Sequence, residues 1–265
     1  MRDDAVLAAA KALLGAETSG VQTGLLSAAH PGAGMDEAYR IQAAVVAAKI
    51  AAGRKVIGWK IGLTSRAMQQ SLGIDIPDSG VLLDDMDFPP GGVIPKGRFI
   101  APRIEAEIAF LTRAPLAGRV TRDEVLDATE AVAPALEILD TRILRSQGGQ
   151  SRTIVDTIAD NAANGGVIVG EMRHDPRALD LRRVGVILFR DGVVEETGLG
   201  AGVLNDPVAG IVWLAERLGR YGQSIGAGQV ILSGSFVRAV ECPPGTRIEA
   251  DFGDFGSITC RFGGE

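Results

Sequence analysis

The chain has 265 residues, of which 46% are hydrophobic and 23% are charged, and its formal net charge is −6. This composition predicts a globular protein with a substantial core and excludes an intrinsically disordered one. The negative charge argues against a nucleic-acid-binding groove, which requires a basic surface. No segment approaches the roughly 18 consecutive apolar residues of a membrane span, so we expect neither a nucleic-acid nor a membrane partner.

The N-terminal part of the chain has helical periodicity. Its first stretch, "MRDDAVLAAAKALLGAE", has two acidic residues before the apolar run and Lys11 within it, which predicts an amphipathic helix and argues against a signal peptide. A second helix is predicted in "MDEAYRIQAAVVAAKIAAGRK", where Asp36 and Glu37 suit the N-terminus and Gly53 suits the C-terminus. We therefore predict a helical N-terminal segment over residues 1–54.

From residue 55 the pattern changes to short β-type runs separated by Gly and Pro, which predicts a β-rich domain over residues 55–265 that would carry any catalytic residues. The stretch "VGVILFRDGVVEETG" predicts a hairpin whose turn is the Asp-Gly pair at 191–192. Two helices are predicted between the strands, over residues 121–135 and over residues 206–221. These elements predict an α+β fold, a β-rich sandwich or roll behind the helical segment.

Histidine and cysteine are scarce in this chain. His30 and His174 lie in loop-like segments, which favours exposed loop residues over catalytic ones. Cys242 and Cys260 lack metal-ligand spacing and cannot form a disulfide framework. These observations argue against a Ser-His-Asp or Cys-His nucleophile and against a zinc site, and they favour a reducing, cytoplasmic compartment.

Three glutamates are candidate metal ligands. The stretch "PRIEAEIAF" alternates apolar residues with Glu105 and Glu107, which predicts a strand with both carboxylates on one face, although alternation alone favours a solvated face. Glu137 lies in the apolar stretch "VAPALEILD", where it is either exposed on a helix or buried and paired with a cation. Three carboxylates without His or Cys would form an oxygen-rich site, which selects Mg²⁺ or Mn²⁺ before zinc.

Two further polar residues are candidates for a functional site. Lys60 lies in "GWKIGLTS", near glycines that leave room for a molecule to approach the backbone. Apolar surroundings lower the pKa of an amine, so Lys60 is a candidate acid/base group, with a surface lysine on a strand as the alternative. The run "DTIADNAANGG", which contains Asn161, predicts a turn-rich loop that could line a pocket, although loop formation alone would explain it.

Six segments occur along the chain in a consistent order and spacing: "GWKIGLTSRAMQ", "DIPDSGVLLDDM", "PRIEAEIAF", "PALEILDTRI", "DTIADNAANGG" and "GSITCRF". This ordered set resembles the 2-oxopent-4-enoate hydratase/4-oxalocrotonate decarboxylase family of the fumarylacetoacetase-like superfamily. The resemblance runs from about residue 34 to the end, and the extreme N-terminus matches poorly. Within the family, "SRAMQ", "GVLLDDM" and "DNAANGG" most resemble the members that hydrate 2-oxohept-4-ene-1,7-dioate.

The resemblance implies roles for individual residues. It implies that Glu105, Glu107 and Glu137 are the ligands of Mg²⁺ or Mn²⁺. It also implies that Lys60 and Asp78 are catalytic groups beside the substrate. A fold of the fumarylacetoacetase C-terminal type and a homo-oligomer, either a decamer or a pentamer, follow from the same resemblance.

The resemblance also implies a substrate class, because the family acts on 2-hydroxy-2,4-dienoates. We therefore expect a metal-dependent hydratase of a small 2-oxo acid in aromatic meta-cleavage catabolism, converting 2-oxohept-4-ene-1,7-dioate to 4-hydroxy-2-oxoheptanedioate. The far carboxylate of such a substrate requires a cation. Arg66, Arg142 or Arg152 could supply it, and Asn161 is a further candidate for substrate binding.

Alternative functions stay open from the sequence. A 4-oxalocrotonate decarboxylase or a 2-hydroxypenta-2,4-dienoate hydratase would use the same metal site. Acylpyruvate-type hydrolases of the superfamily resemble one another in using a His-Glu pair to activate water. The stretch "RAMQQSLGIDIPDSG" contains neither residue, which argues against hydrolysis. The last alternative is a non-catalytic partner in a decarboxylase-hydratase complex. The presence of all three glutamates and of Lys60 argues against it.

Overall fold

The computed structural model describes residues 1–66, 69–70, 74 and 76–264. Residues 67–68 of "SRAMQ" and residue 75 of "DIPDSG" therefore lie outside the described residues. The helices are α1 Asp3–Ser19, α2 Leu26–Ala29, α3 Met35–Ala51, α4 Arg122–Ala128, α5 Ile154–Ala159 and α6 Pro207–Gly219. Within the described part of the chain, none of them combines the length and the hydropathy needed to cross a membrane.

The strands form a large sheet, a smaller sheet and one short hairpin. Their bounds are β1 Val56–Gly62, β2 Asp78–Leu83, β3 Val93–Ile94, β4 Arg103–Thr112, β5 Thr129–Leu139, β6 Ser146–Gln147, β7 Gln150–Ser151, β8 Asn164–Val169, β9 Gly185–Arg190, β10 Val193–Leu199, β11 Val230–Leu232, β12 Val240–Glu241, β13 Arg247–Asp251 and β14 Ser257–Phe262. The seven-stranded sheet has the order β2-β1-β11-β4-β5-β8, with β12 also paired to β4. The five-stranded sheet has the order β10-β9-β13-β14-β3, and β6 pairs with β7. This mixture of helix and sheet confirms the coarse fold class.

The two faces of the seven-stranded sheet differ in character. Ile104, Ala106 and Ile108 of β4 point into the main hydrophobic core, as the alternation in the sequence predicts. The opposite face of β4 carries Glu105 and Glu107. Beside these glutamates the same face has an apolar floor formed by Leu82, Ala109, Ala135, Val167 and Leu232. The sheet is thus covered on both faces around the glutamates.

The two helices predicted in the N-terminal segment are present as α1 and α3. Helix α1 ends at Gly20, whose φ of 69° lies in the left-handed region that favours glycine. These helices share an apolar cluster with Ile143 and Ile158, which lie outside residues 1–54. The N-terminal helices therefore pack against the loop after β5 and against α5. The division of the chain at residue 54 stays a prediction.

The helix predicted over residues 121–135 is only half correct. Helix α4 ends at Ala128, and the chain continues directly as strand β5. From Ala131 to Ile138 every residue of β5 is buried, so the strand shows no apolar-polar alternation that would distinguish it from a helix. Pro134 pairs with Ile108 of β4. Because proline is disfavoured in the interior of a helix, Pro134 was the residue from which a shorter helix could have been predicted.

Two local predictions are confirmed. Strands β9 and β10 form the predicted hairpin, and its turn residues Asp191 and Gly192 have φ values of 54° and 83°. Both are positive, as a two-residue turn of this type requires. Helix α6 begins with Pro207, and the Asp206 side chain accepts a hydrogen bond from the Val208 N–H as its N-cap.

Candidate active site

Three glutamates meet on the face of the seven-stranded sheet that lies opposite the main core. Glu105 of β4 and Glu137 of β5 are directly paired across the antiparallel ladder, and Glu107 lies two residues further along β4. Each offers one carboxylate oxygen, and these oxygens lie within 4.8 Å of one another. Glu107 and Glu137 have 0% exposure. Carboxylates held together away from water repel one another, so the arrangement favours a bound cation or bound protons.

The oxygen atoms of this cluster have few partners. Among the described residues, Glu107 Oε1 and Glu137 Oε2 make no hydrogen bond, and Glu137 Oε1 has only the Lys60 ammonium at 3.2 Å. Glu107 Oε2 accepts one from the backbone N–H of Gly234 at 2.8 Å. Unpaired oxygens on converging carboxylates, without nitrogen or sulfur donors, are the ligand set of hard divalent ions. The residues present therefore fit Mg²⁺ or Mn²⁺.

Gly234 is a supporting residue that the sequence analysis missed. Its φ of 111° lies in the region that favours glycine, and a Cβ there would lie 2.3 Å from Thr64 Oγ1. A side chain at this position would therefore displace the N–H that orients Glu107. The available signal was a glycine separated by one residue from the end of an apolar strand, in "VILSGS".

The carboxyl groups of the cluster hold protons unusually strongly. Burial, together with the neighbouring Glu137 carboxylate, raises the pKa of Glu105 to about 8, against an ordinary value near 4.5. Burial and the charges of Glu137 and Glu105 raise the pKa of Glu107 well above its usual range. Burial also raises the pKa of Glu137, although the Lys60 ammonium opposes it. Without a cation, protonation is how the cluster relieves its repulsion.

We expect the metal-free protein to lose stability as the pH rises from about 5 to about 8. Over this range the native state binds more protons than the unfolded state, because the pKa of Glu105 is raised, so the free energy of unfolding falls with pH. Melting in the presence of a chelator at pH 6 and pH 8.5 measures this. The expected decrease in Tm is about 4 °C or more, given the usual 2–4 °C per kcal/mol for a chain of this size.

Mg²⁺ is expected to raise the Tm more at pH 8.5 than at pH 6, because it competes with protons for the same oxygens. A Glu105→Gln variant serves as the control and should show a weaker pH dependence. An equal effect of Mg²⁺ at both pH values would contradict the assignment of these carboxylates as ligands.

Lys60 lies next to the glutamates. It is 3% exposed, and its Nζ forms an ion pair with Glu137 Oε1 at 3.2 Å. Burial by itself would lower the pKa of Lys60, but the carboxylates of Glu137 and Asp78 outweigh burial and raise it. The expectation of a lowered pKa is therefore wrong for this arrangement. The sequence shows the apolar neighbours along β1, whereas the acidic neighbours come from other strands.

Asp78 begins β2 and lies opposite Gly62 of β1. It is 1% exposed, and its Oδ1 has no hydrogen-bond partner among the described residues. A Cβ at Gly62 would lie 2.2 Å from that oxygen and 3.0 Å from Lys60 Nζ, so glycine leaves the space that both groups occupy. Burial raises the pKa of Asp78, and the charge of Lys60 opposes this. The two predicted catalytic residues thus lie side by side.

A cavity of about 290 Å³ opens onto these groups. Lys60, Asp78 and Glu105 line it, together with the apolar side chains of Leu139 and Ala162. Its volume lies near the lower end of the range for small-molecule sites. The arrangement offers an acidic cluster, an ammonium group and a carboxyl group to one small ligand.

The predicted substrate-binding arginines lie at different places. Arg152 lines the cavity. Arg142 is not among the lining residues: it is buried, and its Nε donates to Asp160 Oδ1 at 2.5 Å, which ties the loop after β5 to the end of α5. Arg66 is exposed and does not line this cavity either.

Asn161 lies beside the cavity without being a lining residue. Its Oδ1 accepts from the Val81 N–H at 2.8 Å and its Nδ2 donates to the Val81 carbonyl at 2.9 Å, so the amide is occupied by strand β2. Asn161, Ala162 and Ala163 all have positive φ, between 53° and 56°. Such backbone strain costs about 1–3 kcal/mol per residue and is concentrated at functional sites. The amide of Asn161 helps to hold this strained wall of the cavity in place.

Two arginines that line the cavity were missed by the sequence analysis. Arg103 lies two residues before Glu105 on β4, so the period of two that placed the glutamates on one face would also have placed Arg103 there. Arg145 lies just before strand β6, and nothing in the local sequence shows that it faces the cavity.

The whole chain has relatives among known proteins. No protein-family model matches it. The chain is 47% identical over 250 residues to 2-oxo-hept-4-ene-1,7-dioate hydratase of Escherichia coli, and the matched residues make up 93% of this chain and 94% of that protein. The chain belongs to the 2-oxopent-4-enoate hydratase/4-oxalocrotonate decarboxylase family. It is also 40% identical to 2-keto-4-pentenoate hydratase of Paraburkholderia xenovorans (strain LB400), with 96% of this chain and 93% of that protein covered.

Solved structures agree with this family. The 4-oxalocrotonate decarboxylase of Pseudomonas putida G7, complexed with magnesium and adipate, superposes with a TM-score of 0.93 at 33% identity, covering 99% of this chain and 98% of that one. A fumarylacetoacetate hydrolase family protein from Yersinia pestis CO92 has a TM-score of 0.57 at 15% identity, covering 77% of this chain and 91% of that one. The second likeness shows a related fold only. The family contains both hydratases and decarboxylases, so membership restricts the reaction without choosing between them.

Proposed function

We propose that the protein is a divalent-metal-dependent hydratase. It adds water to a 2-oxo-alkenoate, the keto form of a 2-hydroxy-2,4-dienoate, and so belongs among the lyases. Its substrate is 2-oxohept-4-ene-1,7-dioate and its product is 4-hydroxy-2-oxoheptanedioate, in aromatic meta-cleavage catabolism. The observation that supports this most directly is the buried cluster of Glu105, Glu107 and Glu137 beside Lys60 and Asp78, in a chain 47% identical to a hydratase of this substrate.

Mg²⁺, or Mn²⁺ in its place, is the proposed cofactor. Glu105, Glu107 and Glu137 would hold it, since one carboxylate oxygen of each converges within 4.8 Å and the P. putida G7 relative is complexed with magnesium. When bound, the ion supplies positive charge that stabilises the negative charge developing on the 2-oxygen of the substrate. This role requires an ion that binds oxygen, and carboxylate ligands suit Mg²⁺ and Mn²⁺.

Lys60 and Asp78 move the protons in this proposal. Lys60 starts as an ammonium, because its pKa is raised, so it acts first as an acid and donates a proton to C5 of the dienol. Asp78 accepts the proton of the 2-hydroxyl group, which leaves the 2-oxo-3-enoate. Neutral Lys60 then takes a proton from water as the hydroxide adds at C4, and Asp78 returns its proton to C3. Both residues end in their starting states.

Decarboxylation is the closest alternative reaction. It would need the same three carboxylates to stabilise the enolate that remains after CO₂ leaves, and the P. putida G7 decarboxylase shares this fold. Hydration is favoured because the identity to the hydratase of E. coli is 47%, against 33% to that decarboxylase. A non-catalytic role is not favoured, because Lys60 and the three glutamates are all present and converge.

Turnover of two substrates tests the proposed function. Purified protein with Mg²⁺ is expected to remove the absorbance of a 2-hydroxy-2,4-dienoate and to form the 4-hydroxy-2-oxo acid. With 2-oxo-3-hexenedioate it should release no CO₂. Chelation should stop the reaction, and Mg²⁺ or Mn²⁺ should restore it. Release of CO₂ without any hydration would replace the hydratase with the decarboxylase.

The finer features of the fold and assembly are also proposals. We infer that the two sheets form the sandwich or roll of the fumarylacetoacetase C-terminal type, behind a helical segment over residues 1–54. The related Yersinia fold supports this. A cytoplasmic homo-oligomer, a pentamer or decamer, is the expected assembly, and the Ala-rich helices α1 and α3 suit packing between subunits. Sedimentation of the purified protein would measure its size.

A further inference from the structure

The hairpin β6–β7 has an arginine at each end. Gly148 and Gly149 form its turn, with φ values of 58° and 81°, which a two-residue turn between antiparallel strands requires. The backbone N–H of Arg152 donates to the Arg145 carbonyl at 2.9 Å. Arg145 and Arg152 therefore lie opposite each other at the base of the hairpin, where the chain enters and leaves it.

Both side chains line the cavity that Lys60 and Asp78 also line. Arg103 of β4 is a third guanidinium in the same wall. Burial, followed by the positive charges of Arg103 and Arg152, lowers the pKa of Arg145. Guanidinium groups repel one another, so their grouping around one small cavity is stabilised when an anion binds between them.

The three arginines differ in how their donors are used. Arg103 Nη2 forms an ion pair with Glu241 Oε1 at 2.5 Å. Arg152 Nη1 donates to Thr141 Oγ1 at 2.8 Å. Within the described part of the chain, the Arg145 side chain has neither an ion pair nor a hydrogen bond. The described residues thus leave the planar donors of Arg145 available to a ligand, and a carboxylate is a group that this fork matches with two hydrogen bonds.

The backbone that carries Arg145 is anchored. Gln147 Oε1 accepts a hydrogen bond from the Leu25 N–H at 2.9 Å, and the Leu144 N–H donates to the Thr23 carbonyl at 2.9 Å. The N-terminal segment between α1 and α2 therefore holds the hairpin on both sides of Arg145. Because the backbone on both sides of Arg145 is held in place, the position of its guanidinium group relative to the cavity is restricted.

We propose that Arg145, assisted by Arg152, binds the carboxylate at the far end of the substrate and thereby selects dicarboxylic over monocarboxylic 2-oxo-alkenoates. This rests on the proposed function, because it assumes that the 2-oxo acid end of the substrate lies at the glutamate cluster. It assigns the far carboxylate to a residue whose side-chain donors no described residue uses. Arg142 is not required for it, since that guanidinium is occupied by Asp160 and the Asn164 carbonyl.

The experiment compares kcat/KM for 2-oxohept-4-ene-1,7-dioate and for 2-oxopent-4-enoate in the wild type and in Arg145→Gln. A charged hydrogen bond to the far carboxylate corresponds to a loss of roughly 10- to 100-fold for the dicarboxylate, mainly through KM. The monocarboxylate should change by less than about threefold, because it has no group that reaches Arg145. Arg119→Gln is the matched control, since it removes the same charge from a side chain that is 90% exposed.

Arg145→Lys should retain part of the preference, because lysine keeps the charge but lacks the planar fork. An equal loss for both substrates in Arg145→Gln would overturn the specificity role while leaving the hydratase intact. A wild type that prefers the monocarboxylate would overturn it as well. Hydration of neither substrate by the wild type would instead contradict the proposed function.

Discussion

The Glu107→Gln variant is expected to lose Mg²⁺ binding and hydration together. The carboxylate oxygen that makes no hydrogen bond becomes part of a neutral amide, so one of three anionic ligands is lost. Loss of a supporting group around a metal already costs about 10- to 100-fold in affinity, and loss of a ligand should cost at least that much. Activity should fall by about 10³-fold, because the charge stabilisation that a metal supplies is worth several kcal/mol.

Folding should survive this substitution, which makes the experiment clear to interpret. Glutamine keeps an oxygen that can accept from the Gly234 N–H, and it is neutral at every pH, whereas Glu107 must hold a proton to avoid repulsion by Glu105 and Glu137. The metal-free variant should therefore be at least as stable as the metal-free wild type. Titration calorimetry with Mg²⁺, Tm and kcat/KM are the measurements. Glu130→Gln, an exposed glutamate on the same strand as Glu137, is the control. If metal binding and activity both persist in Glu107→Gln, the cluster is not the metal site.

The Lys60→Met variant is expected to separate metal binding from proton transfer. Methionine retains most of the side-chain volume and removes the ammonium that lies 3.2 Å from Glu137 Oε1. Proton transfer by a positioned group contributes about 10²- to 10⁴-fold, so kcat should fall within that range. Mg²⁺ affinity should be kept or increased, because a positive charge next to the cluster has been removed.

Two comparisons make the Lys60 result specific. Lys55→Met changes an exposed lysine just before the same strand and should leave kcat unchanged. Lys60→Arg keeps a charge, but a guanidinium cannot lose its proton, so it should not restore activity. A Lys60→Met enzyme with normal kcat would show that Lys60 only neutralises Glu137. Loss of Mg²⁺ binding in that variant would show that it organises the cluster.

Several features of the fold and of the site could be predicted from the sequence. The alternation in "PRIEAEIAF" places Glu105 and Glu107 on one face of a strand, and the structure confirms this because side chains on a strand alternate with a period of two. The hairpin around Asp191 and the N-cap at Asp206 were also predictable, since both depend on residues that are neighbours along the chain. The scarcity of histidine and cysteine indicated that any metal site would be oxygen-rich, whereas the three glutamates were identified as its ligands by the resemblance to the family.

The tertiary structure decided which carboxylates meet and which cations face them. Glu137 lies on a strand that is buried on both faces, so no local pattern shows that it pairs with Glu105; the register of β4 with β5 decides that. The raised pKa of Lys60 likewise depends on acids from other strands, because burial alone would have lowered it. Arg142 and Arg145 are three residues apart, yet one is bound by Asp160 and the other faces the cavity. Charge interactions depend on distance in space, and for residues far apart along the chain that distance is set only when the strands pair.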